Sequence, residues 1–314
     1  MSSDERSSEP GDVLGYFAAL SNWDRWGRDD LLGTLNYIGQ AQRKAAISLA
    51  VDGTAVSCAR VIRADANGTT AGQPLRFMAK GGESAPEHGW GEASEWIGFR
   101  YHGRTITHLD GLEHVFWDGY SYNGRSANEV TTEHGAIRGS TETLPNGSII
   151  ARGVLLDVPR SLGVEYVEPG VGVTPEQVLA CERSEGIEIG PGDAIFIRTG
   201  RDEVERQHGG PYPGGRLAGV APQCLPLLYE RQIALLGGDG VNDARPAPPK
   251  GTKVSLPVHA VGIVAMGLWL LDNAYLEDLA QYCAQRGRWT FTLVVAALKI
   301  QGATGSPVNP IAIF

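Results

Sequence analysis

Glycine restricts this chain more than any other residue type. It fills 42 of the 314 positions, about 13% where a globular chain carries ~7%. No repeat organises these glycines, so they argue for many turns and close backbone approaches and against a helical bundle. The segments between them agree. Residues 54–62, 148–158, 193–199, 233–237 and 289–299 read as strands. Helical spacing of apolar residues is confined to short stretches, at 39–51, 174–185, 222–230 and 276–286. The clearest start signal is at Thr174, an N-cap followed by Pro175 and by Gln177, which completes a capping box. Residues 63–96 and 118–147 read as long loops. The stretch 95–110 between them reads as two short strands turning near His102 and Gly103. The most apolar run, 254–271, contains Pro257 and His259. It falls short of the ~20 apolar residues of a membrane span and reads as buried core. No regular βαβ alternation and no linker is visible. The expectation is a single α+β domain over residues 12–314, with a mixed sheet, short helices and long loops. A disordered polar tail at residues 1–11 would precede it.

Charge and motifs narrow the function. There are 36 acidic residues against 27 Lys plus Arg, a net charge of −9. A nucleic-acid footprint or an anionic membrane surface needs a basic face, and no basic run is present. The four cysteines, Cys58, Cys181, Cys224 and Cys283, show no CxxC spacing. They are read as buried free thiols of a reducing compartment, neither a disulfide framework nor a structural zinc site. The polar first residues lack the apolar core of a signal peptide, so a cytoplasmic protein is expected. There is no GxSxG nucleophile elbow, no GK[ST] phosphate loop and no GxGxxG fingerprint.

Three of the seven histidines fall within YHGRTITHLDGLEHVFWDG: His102, His108 and His114. On a strand, alternate side chains share a face, which would align Arg104, Ile106, His108 and Asp110. His108 and Asp110 then make an N/O pair that suits Zn²⁺ or Mn²⁺. Gly111 breaks the strand, and His114 beyond it is placed to reach back as a general acid–base. His259 and Asp272 stand at the two ends of the apolar run, where burying an unpartnered ionisable group costs several kcal/mol. Phe116, Trp117, Tyr120 and Tyr122 follow the motif directly and suit a planar, aromatic ligand. Trp90 and Trp96, in the expected loop, are candidates for a lid or a neighbour-subunit wall. Arg198 and Asp239, at the ends of apolar strands, read as structural hydrogen-bonding residues.

The stretch THLDGLEHVFWDGYSYNG resembles the core motif, HxGTHxDxxxH, of the cyclase family, which includes bacterial kynurenine formamidases and isatin hydrolases. NWDRWGRDDLLGTLN, ARGVLLDV, PGDAIFIRTG and GATGSPVNPIAIF also resemble segments of its longer members, so the resemblance runs from about residue 22 onward. It implies a swivelling β/β/α fold, a homo-oligomer (dimer or tetramer), and a metal-dependent hydrolase. It implies that His108 and Asp110 are metal ligands and that His114 is the catalytic acid–base. It further implies that His259 is a metal-site histidine and that Asp272 stands where the family usually has Glu.

One position departs from the pattern. The family's first histidine falls at Arg104, which cannot donate a lone pair to a metal. Three arrangements stay open. One metal is held by His108, Asp110 and His259, with or without Asp272; or His102 replaces the lost ligand through a bulge; or there is no metal and Arg104 binds an anionic substrate or an oxyanion. The leading expectation is a hydrolase of an amide, lactam or lactone in a small cyclic or aromatic substrate. Its cofactor would be Zn or Mn, its nucleophile a metal-bound water, and His114 its general acid–base. The alternative is a cyclase or dehydratase acting on an aromatic polyketide-type intermediate, with or without metal, using His114, Asp110 and Arg104. A binding protein that kept the fold and lost the chemistry is disfavoured by the presence of His108, Asp110 and His114 together.

Overall fold

The structure is a computed structural model that describes residues 13–64, 73–144, 147–212, 215–245 and 254–314. The tail expected at residues 1–11 lies outside them. Helices α1 (Val13–Ala19) and α2 (Gln40–Ile47) come first, then β1 (Ala55–Ser57), the hairpin β2 (Leu75–Lys80) and β3 (Ser94–Gly98), and β4 (His108–Asp110). A small pair, β5 (Val130–Thr131) and β6 (Gly135–Ala136), precedes the long β7 (Ser148–Asp157). From there α3 (Val158–Leu162), β8 (Gly172–Val173) and α4 (Pro175–Glu185) lead to β9 (Ala194–Arg198). Next α5 (Arg201–His208), β10 (Gly219–Val220) and α6 (Cys224–Glu230) lead to β11 (Leu235–Gly238). Helix α7 (Pro257–His259) runs into a π-helical segment (Ala260–Ala265) before β12 (Trp269–Asp272). The last elements are α8 (Glu277–Arg286), β13 (Thr290–Ala296), β14 (Gly305–Pro307) and β15 (Ile311–Ile313).

Nine strands form one mixed sheet in the order β1-β15-β13-β7-β9-β11-β12-β4-β14. Its centre, β7-β9-β11-β12, is parallel, and the outer pairings are antiparallel. The sheet curls. β14 and β15 lie near its opposite ends, yet only residues 308–310 join them. Those residues reach about 14 Å at full extension, whereas seven flat strand spacings would need about 33 Å. Trp269, Phe196, Phe291 and Phe314 are all buried, and the Phe314 ring lies 4.6 Å from that of Tyr282 in α8. Helix α2 packs on β7 and β13, α4 on β7, and α8 on β1.

The mixed sheet, short helices and mixed α/β class agree with the sequence reading. So does the capping box, in which Thr174 accepts from the Gln177 amide and the Gln177 side chain accepts from the Thr174 amide. The run 254–271 is core along most of its length, as expected. Trp23 of the NWDRWG segment donates its indole N–H to the Val264 carbonyl at 2.6 Å, and the Asn22 side chain donates to that of Met266 at 2.8 Å.

Two expectations need correction. Residues 148–272 do alternate, since each pair of neighbouring parallel strands is joined by a helical crossover. The sequence reading places helices at α4 and α6 but none at α5, whose sequence RDEVERQH buries only Val204 and so has almost no apolar face. Residues 63–96 are not simply a loop, because β2 and β3 form a hairpin within and just beyond them. Nearly every residue of that hairpin is exposed, so it carries no core-facing pattern.

Candidate active site

The site gathers at one end of the parallel strands, where β4 lies beside β12. The register places His108 opposite Asp272, and Asp110 opposite Leu270 on one side and Gly305 of β14 on the other. His108 and Asp110 share a face, as the two-residue spacing predicts. Asp110 is fully buried, and Oδ1 lies 2.8 Å from His102 Nδ1, 3.3 Å from His108 Nε2 and 3.8 Å from His114 Nε2. Its Oδ2 has no hydrogen-bond partner and faces His259 Nε2 at 3.4 Å. His259 Nε2 is also 3.4 Å from Asp272 Oδ2.

Each ring is oriented by its other nitrogen. His108 Nδ1 donates to the Ile106 carbonyl at 2.8 Å, which turns Nε2 toward Asp110. His259 Nδ1 donates to Asp243 Oδ2 at 2.6 Å, which turns its Nε2 toward two carboxylates. His102 lies flat on His114, with ring centroids 3.7 Å apart and planes 2° from parallel. Its Nε2 meets Thr304 Oγ1 at 3.2 Å.

Electrostatics divide the histidines. Burial disfavours a cation at His114 and, with its histidine neighbours, outweighs Asp110 to bring it down to about 4. The ring is therefore neutral at neutral pH, with one nitrogen free to accept a proton. Burial also works against the cation at His108, yet the Asp110 charge and hydrogen bond, with Asp272, raise it to about 9. At His259 burial is again opposed, here by the Asp272 charge and contacts with three carboxylates, and the group moves well above its ordinary value. Burial would raise Asp110, but the surrounding histidines hold it well below the usual carboxylate range. Positive charge is thus strongly favoured between these carboxylates.

The donors fit a divalent ion. Among the described residues two groups bring ligand atoms within reach of one another, His102 with His108 and Asp110, and Asp110 with His259 and Asp272. The orphaned Asp110 Oδ2 is the atom such an ion would satisfy. Imidazole nitrogens and carboxylate oxygens suit first-row divalent metals.

The remaining sequence candidates fall apart from this cluster. Arg104 does not share a face with His108, because the strand begins only at His108 and residues 102–106 bend. Arg104 is exposed and donates to the Gly215 carbonyl at 3.1 Å. His102 stands in the cluster instead. Tyr122 is buried core with its hydroxyl 3.1 Å from Asp30 Oδ2, and Trp117 stacks on Phe17 at 4.7 Å. Only Phe116 and Tyr120 of the four aromatics after the motif are exposed. Trp96 stacks on Phe77 across the hairpin, and Trp90, in the connecting loop, is 77% exposed. Arg198 and Asp239 are structural, as read. Arg198 bridges Asp157 and Glu277 at 2.7 Å each, and Asp239 accepts the amides of Thr199, Gly200 and Arg201. Burial pushes the Cys58, Cys181 and Cys224 thiols up to about 12, which makes them inert at neutral pH.

Sequence reading missed Asn242, Asp243 and Thr304. A signal existed for the first two. GGDGVNDA follows a buried parallel strand, and turns at the carboxyl ends of such strands are where α/β sheets place ligands.

The Cyclase family model matches residues 61–243, more than half of the chain. The chain belongs to the cyclase family. The matched region includes His102, His108, Asp110 and His114, while His259 and Asp272 lie beyond it. A crystal structure described as a novel cyclase aligns with a TM-score of 0.82 at 29% identity, over 95% of this chain and 99% of its own. An isatin hydrolase bound to the product analogue thioisatinate aligns at 0.58 and 19% identity, over 88% of this chain and 99% of its own. Isatin hydrolase A from Ralstonia solanacearum aligns at 0.59 and 18%, over 82% and 91%. A search of curated proteins gave no match. Among the described residues of this cyclase-family chain, no helix is long and apolar enough to cross a membrane.

Proposed function

We propose that this cyclase-family protein is a metal-dependent hydrolase of an amide, lactam or lactone bond in a small cyclic or aromatic substrate. The observation that carries the reading is the pair of donor groups sharing Asp110, with a neutral His114 stacked on one member. His102, His108 and Asp110 would hold one divalent ion, and Asp110, His259 and Asp272 a second, zinc and manganese being equally suited. An ion bound there supplies Lewis acidity toward a carbonyl oxygen and lowers the pKa of water. The fold likeness to isatin hydrolases points the same way, since isatin is an aromatic lactam.

The side chains define the proton path. The His114 ring is 27% exposed, so it reaches the open side of the site. At Nε2 it takes a proton from water attacking the carbonyl carbon, then returns it to the leaving nitrogen or oxygen. Asp110, 3.8 Å from that nitrogen, balances the imidazolium formed in between. The exposed Phe116 and Tyr120 follow His114 in sequence and offer flat apolar faces to a planar ring. The cyclisation alternative drew on Arg104 as an anion clamp, and Arg104 is turned to Gly215. A homo-oligomer, dimer or tetramer, in the cytoplasm completes the proposal. The four buried free cysteines support a reducing compartment.

The test begins with metal content of the purified, untagged protein by elemental mass spectrometry, beside His108→Ala. One or two Zn or Mn per chain, reduced in the variant, is expected. Hydrolysis of a panel of cyclic amides and lactones follows. His114→Ala should lower turnover about 10²–10⁴-fold with metal content unchanged. Metal-free wild type would overturn the metal reading, and unchanged turnover would remove His114 from the mechanism.

A further inference from the structure

The turn after β11 touches two members of the second donor group, Asp272 and His259. Adjacent residues do so. Asn242 Nδ2 donates to Asp272 Oδ1 at 2.6 Å and to the Leu271 carbonyl at 3.1 Å. Asp243 Oδ1 accepts the Val258 amide at 2.8 Å, and its Oδ2 accepts the His259 amide at 3.0 Å and His259 Nδ1 at 2.6 Å. Five groups from four residues of two other segments are therefore tied to two consecutive side chains, all buried. The turn itself is pinned. The Val220 amide donates to the Asn242 carbonyl, and the amides of Asn273 and Ala274 donate to the carbonyls of Gly240 and Gly238. Asn242 has φ +43°, a left-handed conformation that Asn tolerates better than most residues.

We propose that Asn242 and Asp243 are paired positioning residues, fixing which oxygen Asp272 and which nitrogen His259 present to a divalent cation. A carboxylate can only accept, so Asp243 holds a proton on His259 Nδ1, and Nε2 is the nitrogen left to give up its proton to an incoming ion. Asn242 occupies Asp272 Oδ1 with a donor and leaves Oδ2 free. His259 Nε2 then faces both Asp272 Oδ2 and Asp110 Oδ2, the atom without a partner, at 3.4 Å each. Carboxylates behind ligand histidines act in this way at metal centres, and removing one costs 10–100-fold in affinity. The inference rests on the reading that His259 and Asp272 hold an ion.

The experiment combines zinc titration with nitrogen-15 spectra of histidine-labelled protein. In wild type, His259 Nδ1 carries a proton, and Nε2 loses any proton once zinc is bound. Asp243→Asn leaves one oxygen to serve three donors. The Nδ1–H signal of His259 should shift or vanish, and the affinity for the second zinc should fall about 10–100-fold, with the first site unchanged. Asn242→Gly keeps the left-handed backbone and deletes the amide. It should weaken the same site while the Nδ1–H signal of His259 stays in place. An unprotonated Nδ1 in wild type overturns the proposal, as does Asp243→Asn with unchanged His259 signals and second-site affinity. If wild type shows the Nδ1–H signal yet binds no second ion, the metal reading fails and the positioning of the ring stands.

Discussion

Gly305 decides whether His102 can stand beside Asp110. A Cβ there would lie 2.6 Å from the Leu109 carbonyl oxygen and 2.7 Å from His102 Cε1. The carbonyl belongs to a paired strand and cannot yield, so the imidazole must. Gly305→Ala should cost about 1–3 kcal/mol of stability in denaturant unfolding. Zinc titration should show weakened binding at the His102 group and intact binding at the His259 group. Undiminished affinity at both would mean that His102 is no donor. His108, Asp110 and His114 were legible because strand spacing and one glycine place them locally. His102 entered the reading only as a substitute ligand through a bulge, since a face-alternation argument holds only along a strand, and here the strand begins at residue 108. The same failure put Arg104 in the site on paper.

Elements whose signals are local were readable, and those stabilised from afar were not. Thr174, Pro175 and Gln177 announce α4 within four residues. Hairpin β2–β3 and helix α5 show no periodicity because neither buries a consistent face. The far end of α4 holds a pH-sensitive joint. Glu185 Oε1 accepts the Asp157 amide at 2.9 Å, while Oε2 is buried without a partner. Burial, with the Asp157 charge in support, lifts this carboxyl to about 8. The folded state therefore holds a proton that the unfolded chain releases near pH 4.3. Its stabilising contribution is full below that value and is lost as pH rises to 8. Glu185→Gln should flatten the fall in stability between about pH 5 and 8. At pH 9 it should raise Tm by about 2 °C per ~1 kcal/mol regained. Parallel Tm–pH curves for both proteins would refute it.

Across the whole molecule, three buried carboxylates (Asp110, Asp243 and Asp272) converge on one histidine, His259. A cation there relieves their mutual repulsion only in the folded state. Stripping the protein with a chelator should lower Tm, and zinc or manganese at 100 times its Kd should restore about 2.7 kcal/mol. Scanning fluorimetry reads this directly, and identical curves with and without metal would contradict an ion at this place. The curl that brings the donors together could not be read from the chain, because β4 finds β14 nearly two hundred residues away. That pairing also sets a schedule. On the ribosome every proposed ligand, from His102 to Asp272, emerges before Thr304 and Gly305, the residues that buttress His102. A growing chain therefore exposes its donors before it can hold them in place. If these donors hold an ion, its loading must wait for sheet closure, so it would be a post-synthetic event, open to competition from whichever ion the cell then supplies.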